Sequence, residues 1–92
     1  MDMVILDGRI ISHETLSRSG KGWRLDYRDG AVWLILRAPR SLGDKALLKR
    51  VRKTLASLGI EASIISALAG HSLFDGKLKK ALYVELKLLA VE

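Results

Sequence analysis

The chain has 92 residues, 49% of them hydrophobic, and a formal net charge of +6. That length suits one domain (1–92) with a modest core, and regular apolar patterning argues against disorder. Cysteine is absent, which excludes disulfide frameworks, thiolate chemistry and Cys-based zinc sites; Asn and Gln are absent too, a bias that resembles hyperthermophile proteins.

The chain opens Met1-Asp2-Met3, acidic and polar, and its uninterrupted apolar runs are far shorter than a membrane span. A soluble, cytoplasmic protein is therefore expected. Three Asp-Gly pairs follow along the chain: Asp7-Gly8, Asp29-Gly30 and Asp75-Gly76. Asp-Gly between apolar runs signals a two-residue hairpin, because a type I′ turn needs positive φ at both central positions.

The first pair joins strands predicted at Met3–Leu6 and Arg9–Ser12. The second joins 22–28 to 31–37, and a two-residue turn fixes the partners. Tyr27 faces Val32, Leu25 faces Leu34 and Trp23 faces Leu36 on one uniformly apolar side. The other side is mixed: Arg28 with Ala31, Asp26 with Trp33, Arg24 with Ile35. Such an alternation marks a half-buried antiparallel pair.

Pro39 is expected to end this run, with Ser41 or Asp44 capping a helix that Gly59 stops. Stepped at about 100° per residue, Leu47, Leu48, Val51, Leu55 and Leu58 gather on one side of that helix. Residues 60–68 fit two periods. Ile60, Ala62 and Ile64 alternate as in a strand, whereas Ile60, Ile64 and Leu68 also suit a second helix; a strand is favoured. Residues 69–80 read as a polar loop or hairpin tip around Asp75-Gly76. The last stretch alternates Leu82, Val84, Leu86, Leu88 and Ala90 against Tyr83, Glu85 and Lys87, as a strand does.

The expected fold class is α+β: a mostly antiparallel sheet built from hairpins, with one main amphipathic helix on one face (β-β-β-β-α-β-β). One helix covers only one face of such a sheet. Trp33, Ile35, Leu89 and Val91 are apolar on the other, so the N-terminal hairpin, residues 60–68 or a second copy of the chain must cover them. A homodimer, or a place as a subunit of a larger complex, follows as the expectation.

Charge is concentrated. Residues 41–60 hold five Lys/Arg against one Asp/Glu, whereas residues 61–92 balance at four against four. The five are Lys45, Lys49, Arg50, Arg52 and Lys53, opposite the helix's leucines. Solvated helices usually intersperse Glu with Lys at i, i+4, and here the one acid, Asp44, stands at the N-terminal end. Cations so crowded can neutralise phosphates, so these five are the candidate nucleic-acid contacts, RNA ahead of DNA. Arg24, Arg28, Trp33 and Ile35 form a second candidate surface. Aromatic rings among arginines can stack bases, but the same set suits a protein interface better.

No catalytic residue, metal site or cofactor is expected. His13 and His71 lack metal-ligand spacing, and Ser19-Gly20-Lys21-Gly22 lacks both the first glycine and the Ser/Thr of a phosphate loop, although Arg18 and Lys21 could extend a basic rim. An enzyme would need His71, Asp75 and Glu85 in one pocket. The expectation is a non-enzymatic, basic nucleic-acid-binding protein; the alternative is an accessory or homodimeric interaction module with no nucleic-acid contact.

Overall fold

The computed structural model describes residues 3–6, 8–38 and 43–91. In chain order these form β1 (Met3–Leu6), β2 (Arg9–Ser12), β3 (Ser19–Gly20), β4 (Trp23–Arg28), β5 (Ala31–Arg37), α1 (Asp44–Ser57), β6 (Ile60–Phe74) and β7 (Lys77–Val91). The architecture is α+β. Strands β1 and β2 pair as a separate hairpin, and the other five make an antiparallel sheet in the order β3-β4-β5-β7-β6.

Turn chemistry builds the sheet. Asp29 and Gly30 have φ of 53° and 76°, and Asp75 and Gly76 have 53° and 75°, the positive pair a type I′ turn demands. The β4–β5 ladder accordingly pairs Trp23 with Leu36, Leu25 with Leu34 and Tyr27 with Val32. Strand β7 joins on the far side of β5, setting Val84 against Leu34 and Leu86 against Val32. One face thus collects Leu25, Val32, Leu34, Leu36, Val84 and Leu86, all buried.

Helix α1 covers that face with Val51, Leu55 and Leu58. Its N-cap is Gly43, so the expected cap at Asp44 is corrected: Asp44 is already the first helical residue, and Gly43 brings no side chain to the helix amides. Pro39 and Ser41 lie outside the described residues. At the other end Gly59 takes φ of 71°, the left-handed stop expected of it, and its amide donates to the Ala56 carbonyl. Leu48 flanks the buried stripe and remains 38% exposed, which corrects its assignment to the packed side.

The N-terminal hairpin lies on this same face rather than the opposite one. Ile11 is buried, and Leu16 enters the core from a helical turn closed by Leu16 N–H to the His13 carbonyl and by paired Ser12 and Thr15 hydroxyls. Asp7, the first residue of the first Asp-Gly pair, lies outside the described residues.

The second hairpin decides between the readings left open for 60–68 and 69–80. The segment 69–80 is the expected hairpin tip and not a loop: β6 and β7 run on to the two-residue Asp75-Gly76 turn, making a hairpin of two 15-residue strands. Residues 60–68 are strand, and their double periodicity has a local cause. The β6–β7 register shifts between Ile64 and Ser66, leaving Ile65 as an extra residue, and again where Glu61 pairs Ala90 and Ala62 pairs Leu88, leaving Leu89 over. Past Ile65 the pleat is inverted, so Ile64 points to the core beside Leu86 while Leu68 stands across from Tyr83 on the opposite face. The two leftover residues are exposed, Ile65 by 57% and Leu89 by 40%.

These bulges roll the sheet. Arg24 on β4 donates to Ser72 Oγ at 2.6 Å and to the Leu73 carbonyl at 3.2 Å on β6, three strands away in sheet order. In a flat sheet that separation is roughly 14 Å, beyond an arginine's reach. The far end of the β6–β7 hairpin therefore curls back towards β4, and the face away from the helix becomes a concave cup. Ile35, on that face, is only 5% exposed. Of the apolar residues expected on this face, Ile35 needs no separate element or second copy, because the curling sheet covers it, whereas Leu89 stays exposed.

Candidate nucleic-acid interface

Four of the five helix cations form one open stripe. On a helical wheel Lys45, Lys49, Arg52 and Lys53 fall within an arc of about 100°, and all four are exposed. The buried Val51 and Leu55 lie on the far side, so packing the leucines turns the cations outward. Among the described residues the one ion pair is Arg28 with Asp26, so no described carboxylate neutralises the stripe.

Arg50 is different. It is half-buried on the flank of the helix and donates from Nη1 to the Arg37 carbonyl at 3.3 Å, tying α1 to the end of β5. That bond brings the Arg37 backbone beside the helix. The Ala38 amide in turn donates to the Lys80 carbonyl at 3.0 Å, continuing the β5–β7 pairing past Arg37. Arg37 and Lys80 were not legible as neighbours, because 43 positions of sequence separate them and only the β5–β7 ladder brings them together. Lys21, named as a possible basic rim, is exposed one residue from Gly22, whose backbone N–H···O bond partner is Arg37.

The second predicted set, Arg24, Arg28, Trp33 and Ile35, is brought together along one cavity, with its arginines already engaged. Arg24 lies 6.0 Å from the Phe74 ring centroid and holds Ser72 and Leu73. Arg28 Nη2 sits 3.0 Å from Asp26 Oδ2. Trp33 is half-buried, and Ile35 forms floor rather than accessible surface. With Leu68, Tyr83 and Glu85, these residues line a cavity of 440 Å³ in the cup.

His71, Asp75 and Glu85 are not brought together. Glu85 lines the cup, whereas Asp75 borders a second cavity beside residues 19–24, and His71 lines neither. His13 packs edge-on to Tyr27, ring centroids 6.2 Å apart. Among the described residues no group of three or more His, Asp or Glu is placed to hold a metal ion, and no helix is long and apolar enough to cross a membrane. No protein-family model, curated protein or solved structure matches this chain.

Proposed function

We propose that the protein is a non-enzymatic cytoplasmic module that binds nucleic acid, RNA in preference to DNA, through the outer stripe of α1. The observation that carries this reading is the exposure of Lys45, Lys49, Arg52 and Lys53 on one arc without a described carboxylate in ion-pair range. Like charges at helical spacing repel one another, and a polyanion relieves that repulsion while releasing its own condensed counterions.

The decisive measurement is binding to single-stranded RNA and duplex DNA as salt is varied. Four phosphate contacts give a slope of log K against log salt of about −3 on single strands. Lys49→Glu with Arg52→Glu should weaken binding at least tenfold at low salt without altering the fold by circular dichroism. Undetectable binding at low ionic strength, or an unchanged affinity in the double variant, refutes the proposal.

A second reading, a homodimeric or accessory interaction module, is favoured by apolar pairs left in the open. Ile5 and Ile10 face each other across β1–β2 at 74% and 69% exposure, and Leu73 and Leu78 across β6–β7 at 60% and 66%. Paired exposed aliphatics suit a contact with another copy of the chain. Sedimentation at rising concentration separates the readings: a dimer that Ile10→Lys or Leu78→Lys dissociates, with no affinity for either nucleic acid, supports this one.

A further inference from the structure

The cup on the face opposite the helix is lined by a carboxylate, Glu85, that no described cation pairs with. Three acids line it, Asp26, Asp29 and Glu85, against two arginines. Both arginines are already engaged: Arg24 donates to Ser72 Oγ and the Leu73 carbonyl, and Arg28 holds Asp26. Glu85 is half-buried and receives only a long contact, 3.4 Å, from Ser66 Oγ, with no described cation in ion-pair range. An ionised carboxylate offers about four acceptor sites, so most of its capacity is unfilled.

The surroundings of Glu85 select a ligand class. Trp33 stands directly across from it in the β5–β7 ladder, and Tyr83 is two residues along the same face. Indole and phenol rings attract positive charge to their faces, and a carboxylate beside them adds to that attraction. An anion would meet three carboxylates against two guanidinium groups, one of which, Arg28, already holds Asp26. Leu68, Trp33 and the Ile35 floor offer an apolar wall for a short stem. The cavity volume lies within the range that small-molecule sites occupy.

We propose that the cup binds an organic cation, an ammonium or guanidinium group on a short apolar stem. Glu85 pairs with the charge, and Trp33 and Tyr83 line the stem. Two sources supply that chemistry: a free small amine, or the lysine or arginine side chain of another protein. This site is separate from the basic stripe and stands whether or not the stripe binds nucleic acid.

The test is a titration of the uniformly ¹⁵N-labelled full chain, followed through its two tryptophan indole N–H signals and assigned with Trp33→Phe. The probes are n-pentylamine, agmatine and a short lysine-containing peptide, with 1-pentanol and inorganic phosphate as controls. Saturable movement of the Trp33 signal, with Trp23 still, is expected for the cationic probes. Glu85→Gln, which keeps an acceptor for Ser66, should weaken that response at least tenfold with the sheet intact by circular dichroism. Saturation by the amines but not the peptide identifies a small-molecule site; tighter binding of the peptide identifies side-chain recognition. No movement with any cationic probe, an equal response to pentanol or phosphate, or an unchanged response in Glu85→Gln overturns the proposal.

Discussion

The helix stripe and the cup are built from the same basic residue types and use them in opposite ways. In the cup, Arg24 and Arg28 are tied to Ser72, Leu73 and Asp26, so their charge serves the shape of the sheet. On the stripe, Lys45, Lys49, Arg52 and Lys53 point outward with no described carboxylate near them. Arg50 marks the border, since it belongs to the basic run by sequence but bonds inward to the Arg37 carbonyl. A count of cations is therefore a poor measure of a binding surface. What matters is which guanidinium and ammonium groups the fold has already engaged.

The largest expected effect removes the platform that separates the two surfaces. Leu34 is fully buried between helix and sheet, and Leu34→Ala should cost about 2–5 kcal/mol through lost burial and the cavity left behind. Urea denaturation measures this, and a loss below 1 kcal/mol would mean the helix is not packed on this face. Next, Arg24→Ala should lower stability by about 1–3 kcal/mol, because it strands the buried Ser72 hydroxyl. It should leave nucleic-acid affinity untouched; a drop in affinity with unchanged stability would place Arg24 on the binding surface instead.

A finer comparison sets two neighbours on α1 against each other. Arg52→Ala should weaken RNA binding several-fold with stability unchanged. Arg50→Ala should lower stability by about 0.5–1 kcal/mol, through its carbonyl bond, and change affinity less. Matched affinities and melting points for the pair would erase the distinction drawn here. The smallest effect belongs to Arg28→Ala. Its side chain is 69% exposed and its partner Asp26 26%, so the ion pair is screened and worth roughly 0–1 kcal/mol. A shift in denaturation midpoint larger than that would show that the cup's rim supports the sheet.

The amino-acid pattern alone determined the local parts of this protein. Asp-Gly dipeptides dictate two-residue turns, so the pairing of Leu25 with Leu34 and Tyr27 with Val32 could be written before any coordinates. Gly59 marks the helix end and the leucine spacing its buried side, because capping and period act over a few residues. Only the tertiary structure decided the curl. The extra residue at Ile65 is invisible as a motif, since it exists only relative to the partner strand, and it reverses which face Leu68 joins. From that reversal follow the contact between Arg24 and Ser72, the burial of Ile35 and the cup itself. The alternation of polar and apolar residues specifies a strand's faces only while its register with the neighbouring strand is unbroken. At a bulge, the partner sets which way each side chain turns.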